Sequence, residues 1–439
     1  MLVCKYNREL FDGQVRVSAE VSWEDSSRPS RRIYMQTDSE YSGDIQCNPN
    51  TWLLATIIPA IQHDERRIRV EGRLCPKLRY GLETVIQYLR SWYGAEHHGP
   101  IEIEATDGFE PPIPAMGPRT ASFLSGGVDA LTTFHSNRLD FPSDHPGAIK
   151  DCFFVHGFDV GGYETLDSNE SNSRHAINAL SAMVRRYGVR LIPVFTNIRY
   201  LDDSDYLFFT EFYGAALASV AHAFASGITS ALIASGSSIA DLEPIGSHPL
   251  LDLNYSSAAL SIHHDGIRYS RLEKVGVLSQ WDDGLQTLRA CFNAFRSESQ
   301  LNCGECEKCL RTMTELLVYG KLKDCPTYPY DDISPSMLMR LNASASSQHK
   351  NDRAESLQEA YTMLNTANKY YWRELIEPLE KLGRFDLTDV IKMKLAQFQH
   401  HQSRKNDSAW RRRVKWIDEH YSGGILSKLY RMTHTMGHR

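Results

Sequence analysis

A glycine turn between a predicted strand and a predicted helix is the feature that most constrains the fold of this chain. The apolar run Thr120–Leu124 predicts a short buried strand, Ser125–Asp129 reads Ser-Gly-Gly-Val-Asp, and Ala130–Arg138 has the periodicity of an amphipathic helix. A strand that enters a helix through such a turn is the repeating unit of parallel α/β sheets. The helix N-terminus, with its unpaired backbone N–H groups, also favours a phosphate or pyrophosphate ligand.

The turn alone does not specify a ligand. Glycine turns also occur in strand-to-helix units that bind nothing, and this one lacks the Gly-Lys-Ser/Thr ending of a Walker A loop. Further predicted strands at Cys152–Phe158, Leu191–Thr196 and Ser230–Ala234 alternate with helical patterns. This alternation predicts an α/β fold, a parallel sheet with helices on both faces, with the ligand at the carboxyl ends of its strands.

Four cysteines further along the chain predict a metal site. Cys303, Cys306 and Cys309 have CxxCxxC spacing, and Cys291 precedes them by a short loop. Four thiolates suit a tetrahedral zinc ion, and Gly304 allows the sharp turn that points backbone N–H groups at sulfur. An iron–sulfur cluster can also use four cysteines, and the same residues could instead form a disulfide pair or stay as buried free thiols.

Together the two motifs resemble the PP-loop ATP pyrophosphatases and, among them, the 7-cyano-7-deazaguanine synthase (QueC) family. That family joins an SGGxDS loop to a C-terminal Cys-x(n)-CGxCxxCxxR module, and the similarity extends over roughly residues 120–321. The resemblance implies an adenine nucleotide alpha hydrolase-like PP-loop fold. The chain departs from the family pattern at Ala130, which stands where the loop has serine, so one hydroxyl that would contact phosphate is missing.

The resemblance implies an ATP-dependent, AMP-forming ligase or synthase. A carboxylate or similar oxygen of the acceptor would attack the α-phosphorus of ATP and release pyrophosphate. The adenylate would then be captured by ammonia or another nucleophile, in an amidation or ligation. The implied cofactors are ATP, Mg²⁺ and Zn²⁺, and the acceptor would be a small molecule or a group carried by a protein.

Individual residues take their expected roles from the same resemblance. The expected catalytic residues, which hold Mg²⁺ or neutralise the leaving group, are Asp129, Arg271 and Lys274. The expected nucleotide-binding residues lie in the loop or near the ends of predicted strands: Ser125, Gly126, Gly127, Val128, Asp129, His156, Asp159 and Thr196. The expected zinc ligands are Cys291, Cys303, Cys306 and Cys309. A purely structural role for His156 at its strand end stays open.

Two short polar segments form a further candidate site. Gly246–Asp252 and His263–Asp265 are dense in serine, histidine and aspartate. They predict either a pair of loops that faces the substrate or two ordinary loops. A second metal site at this position is the least favoured interpretation.

Patterning divides the chain into three predicted regions. At 439 residues and 42% hydrophobic content, the chain can bury a large core. Residues 1–117 are predicted to form an N-terminal α+β accessory domain with short antiparallel strands and a helix over Thr51–Ile61 that Asn50 caps. Residues 118–325 would be the PP-loop domain, with the cysteine module at 291–309, and residues 326–439 a C-terminal helical region with a helical segment over 354–394. A proline-rich connector at 109–118 marks the first boundary.

Composition limits the partners. The net charge of −6 argues against a broad nucleic-acid surface, and no apolar run approaches the 18 residues of a membrane span. We therefore expect a cytoplasmic protein without membrane contact. The basic segment 404–439 is more typical of a solvated helix face than of an RNA-binding surface, and a homodimer stays open. A nucleotide-binding regulatory protein and a tRNA-modifying PP-loop enzyme are the competing functional hypotheses.

Overall fold

Ten strands arranged in one sheet form the centre of the molecule. The computed structural model describes residues 1–94, 99–111, 117–158, 170–202, 204–291, 301–342 and 370–397. The strands are β1 (Leu2–Phe11), β2 (Gln14–Ser22), β3 (Arg31–Asp38), β4 (Arg67–Val70), β5 (Glu102–Ala105), β6 (Thr120–Phe123), β7 (Ile149–His156), β8 (Arg190–Thr196), β9 (Ser230–Ala234) and β10 (Ser261–Asp265). Their spatial order is β10-β9-β6-β7-β8-β3-β2-β1-β4-β5, a mixed and mostly parallel sheet.

Helices connect and cover these strands. They are α1 (Pro49–Gln62), α2 (Pro76–Tyr93), α3 (Val128–Asp140), α4 (Glu170–Arg185), α5 (Asp205–Leu207), α6 (Tyr213–Ala223), α7 (Pro249–Asp252), α8 (Arg271–Leu278), α9 (Asp282–Thr287), α10 (Glu307–Val318), α11 (Pro335–Met339) and α12 (Ile376–Lys381). Residues 370–374 and 385–397 are also helical. None of the helices in the described ranges is both long and apolar enough to cross a membrane.

The five strands β6 to β10 form the predicted parallel sheet. Within this group β6 comes first in the sequence and lies in the centre. Strands β7 and β8 follow on one side of it, and β9 and β10 lie on the other side. The strand order therefore reverses between β6 and β9. The crevice outside the carboxyl ends of the strands at such a reversal is where ligands bind in open α/β sheets. The glycine turn, which directly follows β6, lies at this position.

The sheet is buried on both faces. Phe153 of β7 belongs to a hydrophobic cluster that includes residues of α1 and α6, whereas the adjacent Phe154 belongs to a second cluster with residues of α3, α4, α8 and α10. Successive side chains of a strand point to opposite faces. A strand that is covered on both faces therefore has a continuous apolar sequence, which is the pattern that predicted β7.

The N-terminal strands extend the same sheet. Strands β1, β2 and β3 are antiparallel, as their alternating sequence predicts, and β3 pairs with β8, the outermost of the five parallel strands on that side. The Thr37 hydroxyl donates to the Pro193 carbonyl at 2.6 Å, and the Tyr41 hydroxyl donates to the Leu191 carbonyl at 2.9 Å. The backbone and side chains thus join the N-terminal region to the parallel strands. The limits of the three predicted domains stay a prediction.

The structure corrects the predicted start of the first helix. The sequence predicted that Asn50 caps a helix over Thr51–Ile61, but α1 begins at Pro49 and the side chain of Asn48 accepts a hydrogen bond from the Asn50 N–H at 3.0 Å. Proline favours the first helical position because it has no N–H group to leave unpaired. The capping residue is therefore the one before Pro49.

Two other boundaries also differ from the predictions. His263–Asp265 is part of strand β10, which pairs in parallel with β9, and is not a loop. Phe158, the predicted last residue of a strand, lies beyond the end of β7. A single π-helical turn, Phe208–Phe212, leads into α6. The predicted helical segment 354–394 falls within the described residues only from 370 onward, and the basic segment 404–439 lies outside them.

Candidate active site and metal centre

The glycine turn is held by the segment that leads to the first cysteine. Gly126 has a φ of +84°, and a Cβ there would lie 3.4 Å from both the Arg289 Cβ and the Thr287 carbonyl oxygen. The Arg289 N–H donates to the Gly126 carbonyl at 2.8 Å, and its Nε donates to the Ser125 carbonyl at 3.3 Å. Glycine is needed at position 126 because the backbone conformation is left-handed and residues 287–289 of the same chain lie close to it.

The N-terminus of α3 faces this turn. Gly127 is the capping residue, and as a glycine it has no side chain that could accept a hydrogen bond from the first turn of the helix. The Ser125 hydroxyl accepts only weakly from the Gly127 N–H, at 3.4 Å. A helix N-terminus without a side-chain cap presents N–H groups and the positive end of the helix dipole, which together suit an anion.

Two cations from α8 converge on Asp129 in the first turn of α3. Lys274 Nζ lies 3.0 Å from Asp129 Oδ1, and Arg271 Nη1 lies 3.3 Å from Asp129 Oδ2. Lys274 also donates to the carbonyl of Ser235, the residue that follows β9, at 2.5 Å. The two lysine contacts span the crevice between β6 and β9. The structure therefore brings together the three residues that the sequence predicted as catalytic.

The two cations are largely buried, whereas the Asp129 carboxylate between them is partly exposed. Lys274 is 1% exposed and Arg271 is 9% exposed, whereas the Asp129 carboxylate is 31% exposed and can be reached from solvent. Burial acts to raise the pKa of Asp129, but the charges of Lys274, Arg271 and, more weakly, Arg311 outweigh it and lower this pKa below its usual value. Asp129 is therefore a carboxylate that stays ionised beside two largely buried cations.

A second row of side chains, on α10, supports the cations. Arg271 Nε lies 3.3 Å from Glu315 Oε2, and its Nη2 donates to the Thr312 hydroxyl at 3.0 Å. Arg311 forms an ion pair with Glu307 at 3.1 Å. Glu307, Arg311 and Glu315 recur every four residues and so share one face of the helix. This spacing begins within the cysteine motif, at Glu307 between Cys306 and Cys309, and it is the signal from which the supporting row could have been predicted.

The four predicted zinc ligands form a compact cluster. Cys291 Sγ lies 3.8 Å from Cys306 Sγ, and Cys303 Sγ lies 3.8 Å from Cys309 Sγ. All four sulfur atoms lie within 4.8 Å of one another. Sulfur atoms bound at 2.3 Å to one tetrahedral zinc ion would lie about 3.8 Å apart. The cluster therefore has the size of a site for a single tetrahedral metal ion such as zinc.

Disulfides and multi-iron clusters fit these four cysteines less well. The nine cysteines are all free, and separations of 3.8 Å are far longer than a disulfide bond of about 2.05 Å. A multi-iron cluster attaches its cysteines to different irons, which requires wider spacing than a single ion. Hydrogen bonding with Cys291 lowers the pKa of Cys303 and raises that of Cys309. A bound cation would instead stabilise all four thiolates together.

The turn that carries three of these cysteines has the predicted geometry. The N–H groups of Cys306 and Glu305 point at Cys303 Sγ, at 3.3 and 3.5 Å. Gly304 has a φ of +71°, and a Cβ there would come within 2.6 Å of Pro329. The predicted need for glycine in this sharp turn is therefore confirmed by its conformation and by its close contact with Pro329.

Asn302 is the residue of the metal centre that the sequence did not reveal. Its fully buried side chain accepts hydrogen bonds from the N–H groups of Ala290 and Cys291, at 2.8 and 3.1 Å, and donates to the Leu288 carbonyl at 2.8 Å and the Thr327 hydroxyl at 3.1 Å. Asn302 thereby fixes the backbone of Cys291 beside the adjacent Cys303. An asparagine next to a cysteine carries no pattern that would have identified this role.

Two of the remaining predicted nucleotide-binding residues, His156 and Thr196, lie on the other side of β6. His156 is the last residue of β7, is 2% exposed, and its ring lies 5.3 Å from that of Phe195. The Thr196 hydroxyl, at the end of β8, donates to the Tyr34 carbonyl at 2.6 Å and so joins β8 to β3. Asp159 lies outside the described residues. A role for these three residues in nucleotide binding stays a prediction.

The two polar segments that the sequence singled out do meet in the structure. Asp252 Oδ2 lies 2.7 Å from His264 Nδ1 and accepts a hydrogen bond from the Ser247 hydroxyl at 2.8 Å. The side chains of Asp252 and His264 are 0% and 3% exposed. Within the described part of the chain, only the four cysteines form a group that could hold a metal ion, so a second metal site here gains no support.

Comparison with protein-family models, with curated proteins and with solved structures finds no match for this chain. Its function is therefore inferred from the residues and geometry described above.

Proposed function

We propose that this protein is a QueC-like PP-loop enzyme that adenylates the carboxylate, or a similar oxygen, of an acceptor with ATP. The observation that carries the proposal is the convergence of Lys274 and Arg271 on Asp129, in an SGGxD turn at the strand-order reversal between β6 and β9. The order of the five parallel strands and the four-cysteine cluster after α9 support the finer assignment to an adenine nucleotide alpha hydrolase-like PP-loop fold.

The residues suit the chemistry of the first step. An acceptor oxygen would attack the α-phosphorus of ATP, the bond from that phosphorus to the bridging oxygen would break, and pyrophosphate would leave with the bonding electrons. The N-terminus of α3 would bind the pyrophosphate, and Lys274 and Arg271 would neutralise the charge that develops on it. Asp129 would hold Mg²⁺, which supplies further charge compensation for the polyphosphate and prefers carboxylate oxygens.

The second step would transfer the acyl group. An amine such as ammonia would attack the carbonyl carbon of the adenylate, lose a proton, and displace AMP, so that an amide forms. The thiols at the four-cysteine cluster are arranged as metal ligands, and none of the described cysteines lies in the glycine turn. Amidation or ligation is therefore favoured over transfer of sulfur from the protein.

A nucleotide-binding regulatory protein is the second candidate. Two observations favour it: Ala130 lacks the hydroxyl that the loop motif supplies, and both oxygens of Asp129 already contact cations. Such a protein would bind ATP or AMP without releasing pyrophosphate.

The test is the release of pyrophosphate and AMP from Mg-ATP by protein loaded with zinc. Candidate acceptors are 7-carboxy-7-deazaguanine, the amino acids and cell extract. For a carboxylate acceptor, ¹⁸O in the carboxylate should appear in AMP, because its oxygen becomes bonded to the α-phosphorus. Asp129→Asn should reduce the rate at least about 100-fold. Asp140→Asn is the matched control, since Asp140 ends the same helix and pairs with Arg268 at the surface.

The outcomes separate the two candidates. Turnover that requires both an acceptor and Asp129 supports the adenylating enzyme. Nucleotide binding without turnover, across the whole set of acceptors, supports the regulatory protein. Equal rates in Asp129→Asn and Asp140→Asn would contradict the proposed role of the loop.

A further inference from the structure

A tyrosine from the C-terminal helical region reaches the crevice at the strand-order reversal. The Tyr371 hydroxyl donates to the carbonyl of Gly236 at 3.0 Å, and Gly236 follows β9 by two residues. The guanidinium carbon of Arg311 lies 4.5 Å from the centre of the Tyr371 ring. Tyr371 therefore contacts the loop after β9 on one side and a cation of α10 on the other.

The neighbours of Tyr371 attach the same segment to both helices that carry the cations. The indole N–H of Trp372 donates to Glu307 at 3.1 Å, on α10. Glu374 accepts a hydrogen bond from the Leu272 N–H at 3.2 Å, in the first turn of α8. Because Leu272 lies next to Arg271 in the chain, residues 371–374 are fixed against the first turn of α8, the turn that carries Arg271.

Arg311 belongs electrostatically to the same site. Its side chain is 5% exposed and lies between Glu307 and the ring of Tyr371. It is the third cation, after Lys274 and Arg271, that acts to lower the pKa of Asp129. Burial raises the pKa of Tyr371 to about 12, so its hydroxyl keeps its proton at neutral pH and can donate to Gly236.

We propose that Tyr371 is a positioning residue of the phosphate site, through which the C-terminal region completes the crevice. It holds the loop after β9 with its hydroxyl and Arg311 with its ring, so that the positive charge around Asp129 is in place before a polyphosphate binds. This inference rests on the proposed function, because it takes a polyphosphate as the ligand. The loop motif and the cysteine module do not include residue 371.

The test measures binding of Mg-pyrophosphate and Mg-ATP to the full-length, zinc-loaded protein by calorimetry. Tyr371→Ala removes both contacts and should weaken binding about tenfold, whereas Tyr371→Phe keeps the ring and should weaken it only about threefold. Phe385→Ala is the matched control, because Phe385 is an aromatic residue of the same region that is 59% exposed. Its binding should equal that of the unmodified protein.

The results distinguish this inference from the proposed function. A residue that only stabilises the fold would lower the melting temperature without changing the dissociation constant of the folded protein. If the unmodified protein binds pyrophosphate and Tyr371→Ala binds equally well, the role of Tyr371 is overturned and the proposed function stands. If the unmodified protein binds neither ligand, both fail. Should Tyr371→Ala not fold, the threefold loss in Tyr371→Phe decides the question.

Discussion

The four-cysteine cluster and the Asp129 site are both groups of polar side chains, but they are assembled differently. Three of the four cysteines come from one turn of seven residues, and only Cys291 must be brought to them. The Asp129 site takes its side chains from α3, α8 and α10, which are far apart in sequence. Local spacing therefore determines most of the first cluster, whereas the second depends on how helices pack against the sheet.

We expect the largest loss of stability from substitutions in the four-cysteine cluster. Cys309→Ser should abolish binding of one metal ion per chain and destabilise the module by several kcal/mol, because binding of a structural metal contributes directly to folding. Metal content by mass spectrometry and thermal unfolding would measure both effects. Cys4→Ser, at a cysteine outside the cluster, should change neither. If Cys309→Ser still binds one metal ion per chain, the four cysteines do not together form a tetrahedral metal site.

At the Asp129 site we expect a smaller loss of unfolding free energy, because each side chain contacts more than one segment and part of its contacts remains after a substitution. Lys274→Met removes the contacts with Asp129 and with the Ser235 carbonyl, and should cost about 3 kcal/mol of unfolding free energy. This is the low end for a buried ion pair, because Asp129 is partly exposed and keeps Arg271. Denaturant unfolding of the single variants and of Asp129→Asn/Lys274→Met would give the coupling between the two residues.

A surface pair provides the reference for that measurement. Lys321 and Asp324 form an exposed ion pair at 2.8 Å, so Lys321→Met should leave the unfolding transition unchanged. Additive effects of the Asp129 and Lys274 substitutions would mean that the cluster does not act as a unit.

A substitution of Asn302 tests whether the CxxCxxC turn alone determines the metal affinity of the four cysteines, or whether the position of Cys291 also matters. Asn302→Ala removes the acceptor for the N–H groups of Ala290 and Cys291, and should weaken zinc binding about 10- to 100-fold. Competition with a chromophoric chelator would measure this affinity. Asn254→Ala, at an amide that bonds the Leu250 carbonyl away from the metal, is the control. Zinc affinity unchanged in Asn302→Ala would show that the cysteine turn alone is sufficient.

When the pH is lowered below 7, we expect the stability to change through a buried histidine before it changes through the four-cysteine cluster or the Asp129 site. Burial lowers the pKa of His222 to about 4, from an unfolded value of 6.5. The unfolded state therefore binds a proton that the folded state does not. The contribution of His222 to stability is fully present above pH 6.5 and falls as the pH drops from there towards 4, by roughly 2 kcal/mol at pH 5. Burial raises the pKa of Glu211 to about 7, so this group contributes in the opposite direction over the same range. Asp129, whose pKa is lowered below 3.8, loses its contribution only under more acidic conditions.

Unfolding at pH 7 and pH 5 would measure this difference. His222→Gln, which can still donate to the Tyr255 carbonyl, should raise the unfolding free energy at pH 5, relative to that at pH 7, above the value of the unmodified protein. Burial and the charge of His264 also lower the pKa of His248 to about 4, so part of the loss should remain. An identical pH dependence in the variant would place the acid-sensitive group elsewhere.

The sequence predicted the regular parts of the fold well. Strand β9 was predicted with its observed bounds, and β6, β8 and α3 to within a few residues, because apolar runs and helical periodicity are local properties. Strand β10 was missed because His263-His264-Asp265 is polar, and its burial depends on the packing of Asp252 against His264. Neither the pairing of β3 with β8 nor the contact of Tyr371 with Gly236 has a signal in the sequence.

By itself the sequence determined the glycine turn, the helix that follows it, and the turn that carries three of the four cysteines. Each depends on residues only a few positions apart, whose relative placement is limited by backbone geometry. Only the tertiary structure decided that Lys274, Arg271 and Tyr371 meet around the crevice after β6 and β9, and that Asn302 fixes Cys291. Contacts between distant segments depend on the packing of whole helices against the sheet, and short motifs do not encode that packing.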